Sequence, residues 1–358
     1  MKRTMKKMVS MALTGTMAVA VLAGAGTSEV KAADKAKIGV LVADVSGEEA
    51  QGFRSYYENY IAGNYDVEFN YTDALQSAED EKTAIEKFAS QGCQAIISFS
   101  SNDRVQQIET CEKYGVYYAV APGNDTEFEA GKDMGAYYKE QGVSKVAIYG
   151  AFIPNPMHVY RVAGVLNGLG CTYGGESDMN AIAGQIFQDQ TVDLSKVEGD
   201  VEVVSYLQGY GDTTTDELNA AIQKTPDAFI SVGMATTFFA QSLSEAGISF
   251  SDIDSFTETN GNSMKNGTLT YLAGKYSSSI GPVFALVMNA INGNVIRDED
   301  GNAPSISQGY LVATDSDTFD KYSVSDSGDA PIYDKETLDS IIGDNVTFED
   351  VKTLVESK

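Results

Sequence analysis

Short apolar runs alternate with amphipathic stretches along the chain from residue 37 onward. Four of these runs, at 37–43, 66–71, 94–99 and 116–121, have the length and β-branched content of strands, and helical spacing fills the intervals between them. Strand, helix and strand repeating at such intervals is the pattern of βαβ units. The first third of the chain is therefore predicted to form a parallel sheet flanked by helices.

A second series of the same kind follows the turn-forming run Pro122-Gly123-Asn124-Asp125. Its predicted strands lie at 145–150, 201–206, 228–232, 255–259, 268–273 and 309–313, with helices between them and a further helix at 280–291. Two series separated by a break favour two similar α/β lobes over one very wide sheet. The predicted boundaries are 33–123 plus 261–292 for the N-terminal lobe, 124–260 plus 293–315 for the C-terminal lobe, and 316–358 for an acidic extension.

The first 32 residues have the order of a secretory signal peptide. Four of the first seven residues are basic, an apolar run over 8–25 follows, and small residues precede Ala33. Leu22-Ala23-Gly24-Ala25 is similar to a lipobox, but Ala25 occupies the position of the lipid-bearing cysteine. We therefore expect a protein that is secreted to the extracellular face of a bacterial membrane without a lipid anchor.

The charge and the histidine content of the chain argue against several classes of function. The chain has 25 basic and 51 acidic residues and a net charge of −26, which argues against nucleic acid as a partner. His158 is the only histidine, so neither a Ser-His-Asp triad nor a zinc site is supported. The turn after the first strand has no Gly-x-Gly-x-x-Gly motif for a dinucleotide. The sequence thus predicts a protein that is not an enzyme and holds no cofactor or metal.

The three cysteines leave two readings open. Cys93 and Cys111 fall in one predicted strand–helix unit, where a disulfide is sterically conceivable, but each is equally compatible with a buried apolar role. Cys171 is expected to be an ordinary thiol.

Two local motifs give the chain a family resemblance. Arg161-x-x-Gly164 lies on the helix after the first strand of the second lobe, and Gly267-x-Leu269 is followed by Ile280-Gly281 at a helix start. Together with the strand–helix order and the leader, these motifs resemble type I periplasmic-type solute-binding proteins of ABC importers, in the sugar-binding branch related to ribose-binding proteins. The resemblance covers about residues 37–313.

This resemblance implies a fold, a site and partners. Two lobes joined by three crossing segments would close like a hinge on a small polar solute, a sugar, at the carboxyl ends of the strands. An ABC permease in the membrane would be the protein partner, and the binding protein itself would be a monomer. The implied ligand contacts are Asp44, Ser46, Phe53 and Ser100 in the first lobe, Asn124 at the first crossing, Arg161 in the second lobe, Glu258 or Asn260 at the second crossing, and Lys275 with Tyr276 after the following strand.

Two departures from the family pattern keep alternatives open. Gly233-Met234-Ala235 replaces a polar Asn-Asp pair, and Lys275-Tyr276 replaces a glutamine in a manner similar to the nucleoside-binding basic membrane protein family. A nucleoside is therefore the alternative solute. The alternative of another class is a secreted α/β enzyme that works with a pair of carboxylates.

Overall fold

The computed structural model of the chain describes residues 35–121, 124–306, 308–326 and 330–358, so the predicted leader and the Pro122-Gly123 break lie outside the described residues. The strands of the described residues form two main sheets and one short two-stranded antiparallel sheet. In chain order these are β1 (Ala36–Leu41), β2 (Val67–Tyr71), β3 (Ala95–Ser98), β4 (Tyr117–Val120), β5 (Lys145–Tyr149), β6 (Thr172–Tyr173), β7 (Val197–Glu198), β8 (Glu202–Leu207), β9 (Ala228–Ser231), β10 (Ser249–Ser255), β11 (Leu269–Lys275) and β12 (Leu311–Ala313).

Helices connect the strands and cover both faces of the sheets. They are α1 (Glu48–Ser55), α2 (Ala62–Asn64), α3 (Ala78–Ser90), α4 (Arg104–Tyr114), α5 (Asn124–Glu140), α6 (Pro156–Gly168), α7 (Met179–Asp189), α8 (Thr214–Gln223), α9 (Ala235–Ala246), α10 (Glu258–Lys265), α11 (Gly281–Ile291), α12 (Ser316–Asp326), α13 (Lys335–Asp339) and α14 (Phe348–Glu356). A π-helical segment, Tyr56–Ile61, joins α1 to α2, and short 3₁₀ turns lie at Leu194–Lys196 and Ser277–Ile280. Among the described residues, no helix is long and apolar enough to cross a membrane.

The first sheet has the strand order β2-β1-β3-β4, and all its pairs are parallel. All four residues of β3 are buried, as expected for a central parallel strand covered on both faces. The predicted α/β class with a parallel sheet in each lobe is confirmed. The carboxyl ends of β1 and β3 lie side by side at one edge of this sheet.

The second sheet corrects the predicted lobe boundary. Its order is β12-β11-β10-β9-β5-β8, parallel except for β12, which is antiparallel to β11. Since β11 pairs with β10 from Leu269 to Lys275, the assignment of 261–292 as a whole to the N-terminal lobe was wrong. Within that range, α11 packs on the first sheet, against β3 and β4. The chain therefore returns to the first lobe after β11, because strand pairing is decided by the available sheet edge and not by local periodicity.

The segment predicted as a strand at 255–259 is instead the start of a helix. Thr257 has extended backbone angles, and its side chain accepts a hydrogen bond from the amide of Asn260, which makes it the N-cap of α10. Glu258 and Asn260 accordingly lie within the second lobe and not at a crossing between lobes.

The last 43 residues pack onto both lobes. Phe319 of α12 contacts the Phe256 ring in the second lobe, with ring centroids 5.3 Å apart. Tyr333 is fully buried in the first lobe, where its carbonyl accepts a 2.5 Å hydrogen bond from the Tyr56 hydroxyl. The carbonyl of Ile341 accepts another from Asn289 of α11. The extension thus adds a fourth passage between the lobes to the three that the resemblance implied.

Cys93, Cys111 and Cys171 are all free thiols. Of the two alternatives left open for Cys93 and Cys111, the structure has the buried apolar role, and both side chains fill an apolar cluster between the first sheet and helices α3 and α4. Burial in this cluster raises the pKa of Cys93 to about 11 and that of Cys111 to about 12, so both remain protonated at neutral pH.

Candidate functional site

Asp44 and Ser46 lie in the exposed loop after β1. The Asp44 carboxylate accepts hydrogen bonds from the amide of Ser46 at 2.9 Å and the amide of Gly47 at 3.0 Å. These bonds, with one from the Ser46 hydroxyl, hold the pKa of Asp44 below its ordinary value. The loop therefore presents an ionised carboxylate at the edge of the first lobe.

Phe53 of α1 borders the same edge. Its ring centroid is 5.4 Å from that of Phe99, which directly follows β3. The Phe99 amide donates to the carbonyl of Leu41 at 2.8 Å, so the loops after β1 and β3 are adjacent. Phe53 is partly exposed beside these loops.

Ser100 is less accessible than its place after β3 suggested. It is buried, and its hydroxyl donates to the Glu81 carboxylate at 3.1 Å. Its carbonyl accepts from Ser98 and Gln107. The exposed residues of this loop are Ser101, Asn102 and Asp103.

The second lobe carries a polar pocket of about 330 Å³ at the carboxyl ends of β9 and β10. It lies where the first turns of α9 and α10 meet, and its lining residues are Thr236, Thr237, Asp254, Thr257, Thr259 and Asn260.

Two oxygens in this lining have no hydrogen-bond partner among the described residues. They are Oδ1 of Asn260 and Oγ1 of Thr236, both on buried residues. Asn260 Nδ2 already donates to the carbonyl of Ser255 at 2.8 Å, so the unused atom of this amide is an acceptor. Buried acceptors without partners are costly, and a ligand that donates hydrogen bonds would satisfy them.

Asp252 lies fully buried directly below this pocket. Its carboxylate accepts from the Ser231 hydroxyl at 3.0 Å and from the Thr236 amide at 2.9 Å. Burial, reinforced by the neighbouring Asp254, raises the pKa of Asp252 to about 7. The carboxylate thereby ties the end of β9 to the N-terminus of α9, which supports one wall of the pocket.

An apolar group of side chains lies near the carboxyl ends of β5, β8 and β9, and one of its members, Phe238, directly follows the pocket residue Thr237 in α9. It consists of Phe152, Tyr210 and Met234, which are exposed by 39%, 58% and 36%, and of Phe238, on which Tyr210 stacks with a centroid distance of 4.1 Å. These residues follow β5, β8 and β9 or begin α9, so they share one edge of the second sheet. We call this group the aromatic platform.

Sequence reasoning missed the aromatic platform. The available signal was an aromatic residue three positions after a strand end, as at Phe152 and Tyr210. Two residues at this edge also have unusual backbone angles, with φ of 51° at Ala151 and 70° at Met234. Positive φ at residues other than glycine is strained and tends to cluster at functional sites.

Arg161 lies inside the second lobe with 2% of its surface exposed. Its Nε donates to Glu127 at 2.5 Å, Nη1 to the carbonyl of Val232 at 2.9 Å, and Nη2 to the Tyr310 hydroxyl at 2.9 Å. The guanidinium therefore joins α5, α6, the end of β9 and the segment before β12 immediately behind the candidate site. Its direct contact with a ligand stays a prediction.

The remaining predicted residues lie at the start of α10, at or just after the end of β11, and at the start of α5. Glu258 is exposed at the start of α10, next to the polar pocket. Tyr276 is buried after β11, and its hydroxyl contacts Gln308, which also donates to the Tyr333 hydroxyl at 2.9 Å. Burial raises the pKa of Tyr276 to about 12. Asn124 begins α5 and Lys275 ends β11, but the side chains of both lie outside what the structure describes.

Within the described ranges, no group of three or more His, Cys, Asp or Glu side chains is arranged to hold a metal ion. The alternating acidic run at 298–302 forms a turn in which Asp298 accepts from the amides of Asp300 and Asn302.

Comparison with solved structures finds the same architecture in other proteins. An ABC transporter solute-binding protein from Bacillus halodurans with bound myo-inositol superposes with a TM-score of 0.55 at 17% identity, covering 81% of this chain and 98% of that one. A periplasmic solute-binding protein from Actinobacillus succinogenes with bound D-allose gives a TM-score of 0.58 at 14% identity, covering 80% and 100%. The arabinose-binding component of an ABC transporter from Shewanella sp. ANA-3 gives 0.56 at 15% identity, covering 80% and 94%.

No protein-family profile and no curated protein sequence matches the chain. Identities of 14–17% establish a shared fold and not a shared ligand. The chain therefore has the two-lobed α/β fold of the type I periplasmic solute-binding proteins.

Proposed function

We propose that the protein is the extracytoplasmic solute-binding component of an ABC importer and that its solute is a sugar. The observation that carries the proposal is the second-lobe site, where a polar pocket and the aromatic platform share the carboxyl edge of one sheet. Two buried oxygens of the pocket have no hydrogen-bond partner among the described residues. Its location at the carboxyl edge of a mostly parallel sheet is the usual ligand position in open α/β folds.

A sugar fits the chemistry of both surfaces. Its hydroxyls donate to Asn260 Oδ1, Thr236 Oγ1 and the carboxylate of Asp254, while its C–H face stacks on Tyr210. Asp44, Ser46 and Phe53 are proposed to contact the opposite side of the sugar when the lobes close.

The remaining features of the proposal follow from the fold and the leader. The leader over residues 1–32 directs export, a membrane permease receives the closed monomer, and no covalent chemistry takes place on the solute. The bound sugars of the comparison structures support a sugar over the nucleoside alternative.

A thermal-shift panel tests this proposal. The purified mature chain is heated with myo-inositol, D-allose, L-arabinose, adenosine and glutamate, each at millimolar concentration. A sugar present at 100 times its Kd should add about 2.7 kcal/mol to the free energy of unfolding. Stabilisation by adenosine alone would replace the sugar with the nucleoside alternative, and no shift with any solute would contradict the proposal.

Variants locate the site. Tyr210→Ala and Asn260→Leu should each weaken sugar binding at least tenfold in titration calorimetry. Tyr114→Ala is the matched control, because Tyr114 is also an exposed tyrosine but lies at the C-terminal end of α4, away from the strand ends that form the site. Equal affinities in all three variants would place the ligand elsewhere.

A further inference from the structure

Glu81 is a fully buried carboxylate, and the groups of the described residues that act on it are neutral hydrogen-bond donors and not cations. It lies in the first turn of α3, at 0% exposure, below the loop that links β3 to α4. A buried charge of this kind is stable only when hydrogen bonds replace its lost hydration.

The hydrogen bonds to Glu81 come almost entirely from that loop. Oε1 accepts from the Ser100 hydroxyl at 3.1 Å, the Asn102 amide at 2.8 Å and Asn102 Nδ2 at 2.9 Å. Oε2 accepts from the Asp103 amide at 3.4 Å and from Gln107 Nε2 at 2.7 Å. Burial raises the pKa of Glu81, but these donors outweigh it and the pKa lies below the ordinary value of 4.5.

The loop held in this way lies at the edge of the first lobe that carries Asp44 and Phe53, the residues proposed above to contact the ligand. It begins at Phe99, which contacts Phe53, and its exposed residues Ser101, Asn102 and Asp103 face solvent at the same sheet edge as Asp44. A loop without such an anchor would have to be ordered each time a ligand binds, at a cost in affinity.

We propose that Glu81 is a positioning residue that holds the 99–103 loop in its ligand-ready shape from inside the first lobe. The expected effect of Glu81 on ligand affinity rests on the proposed function. The ordering of the loop by Glu81 does not, because it is a property of the ligand-free protein. Glu81 does not touch the solute. It acts through the amides and side chains that surround its carboxylate.

The test compares Glu81→Gln with two controls. Gln keeps the size of Glu81, but one of its two terminal atoms is a donor that faces the donors of the loop. Glu79→Gln removes an exposed carboxylate two residues away on the same helix. Ile85→Val trims a buried side chain of α3 and controls for general loss of stability.

Amide hydrogen exchange of the ligand-free proteins is the first measurement. Glu81→Gln should accelerate exchange at Asn102 and Asp103 at least tenfold relative to wild type, with no change at Thr236 in the second lobe. Neither control should alter these two amides selectively. Unchanged exchange at Asn102 and Asp103 in Glu81→Gln would overturn the proposal.

Affinity is the second measurement, with the panel sugar that stabilises the wild type most. Glu81→Gln should weaken binding of that sugar at least tenfold, and both controls should bind within twofold of wild type. A loosened loop with unchanged affinity would overturn the positioning role. If no panel solute binds the wild type, the proposed function fails, while the exchange result still decides whether Glu81 orders the loop.

Should Glu81→Gln not fold, Asn102→Ala removes one donor from the loop side and should produce a smaller change of the same kind.

Discussion

At the scale of the residue, the second lobe depends on polar groups that are buried and mutually satisfied. Arg161 is among the largest fully buried side chains, and its partners Glu127, Val232 and Tyr310 come from three different segments. Taking such a charge out of water is expensive, so the network is stable only as a whole.

The Arg161–Glu127 pair predicts strong coupling in a double-mutant cycle. Arg161→Met should lower the free energy of unfolding by about 3–5 kcal/mol, because Glu127 would remain buried without its cation. Arg161→Met combined with Glu127→Leu should recover most of that loss. Urea denaturation of the two single variants, Arg161→Met and Glu127→Leu, and of the double variant measures the coupling energy. An Arg161→Met variant as stable as wild type would contradict strong coupling.

Asp252 predicts a pH dependence of stability. Its folded-state pKa of about 7 lies above the ordinary value of 3.8, so the folded protein binds more protons than the unfolded chain between these values. Because of Asp252, the free energy of unfolding falls as the pH rises from about 4 to 7, by up to about 1.4 kcal/mol per pH unit. Above about pH 7 the effect of Asp252 on stability no longer changes with pH. Asp254 is the neighbouring carboxylate whose charge reinforces this effect.

Asp252→Asn isolates this contribution. The difference in unfolding free energy between wild type and variant should shift in favour of the variant as pH rises from 4 to 7. Parallel profiles for wild type and Asp252→Asn would show that Asp252 is ionised with an ordinary pKa.

At the scale of the element, helices α5 and α6 are in backbone contact. A Cβ atom added to Gly131 would lie 2.0 Å from the carbonyl oxygen of Arg161, and one added to Gly164 would lie 2.1 Å from that of Phe128. Gly135 and Gly168 make the equivalent approaches one turn further along. This close packing brings Glu127 of α5 next to Arg161 of α6.

Glycine-to-alanine substitutions should separate the effect of close packing between helices α5 and α6 from the effect of helix propensity. Gly164→Ala should destabilise the protein by about 1–3 kcal/mol, because the two helices must move apart. Gly184→Ala, in α7, meets no atom within 4 Å and should stabilise by up to about 1 kcal/mol through helix propensity. Thermal melts of both variants provide the measurement, and a neutral Gly164→Ala would contradict the close packing.

At the scale of the whole molecule, the C-terminal extension is part of the folded body. Tyr333, Leu338, Ile341, Val351 and Val355 are all buried, and Gln308 links Tyr333 to Tyr276 near the passage from β11 to α11. The extension thus covers the first lobe after α12 has packed on the second, and it ties the two lobes together by a further passage of the chain.

Truncation tests the importance of this segment. A chain ending at residue 329 should melt well below the full-length protein, since each of the large apolar side chains lost contributes about 1.5–3 kcal/mol through burial. Tyr333→Phe, which removes only the hydroxyl that Gln308 contacts, should cost about 0.5–1.5 kcal/mol. Calorimetry measures the melting temperatures of the truncated chain and of the Tyr333→Phe variant. Equal melting temperatures for the full and truncated chains would contradict a structural role of the C-terminal extension.

Local patterns in the sequence were sufficient for much of the architecture. The apolar runs at β1, β3, β5 and β9, separated by amphipathic helices, predicted the class and the parallel sheets, because burial on both faces leaves a continuous apolar signature. These patterns wrongly predicted a strand over 255–259. A helix begins there because the Thr257 side chain caps it, which hydrophobic periodicity does not reveal.

The candidate site was predicted only in part. Asp44 and Ser46 follow β1, as the resemblance implied, whereas Asn260 lies in the first turn of α10 beside the polar pocket and not at a crossing; contact of these residues with a ligand stays a prediction. The same reasoning did not find Tyr210 or the anchoring role of Glu81, because both depend on which loops lie side by side.

The sequence by itself determined the α/β class, the two series of strands and the acidic, histidine-poor composition, since these follow from local periodicity and from counting. Tertiary structure alone decided that β11 joins the second sheet, that the cysteines stay unpaired, that Arg161 is enclosed, and that the final segment reaches both lobes. Each of these outcomes is a contact between residues distant in the chain, and such contacts are selected by the packing and hydrogen-bond satisfaction of the whole fold.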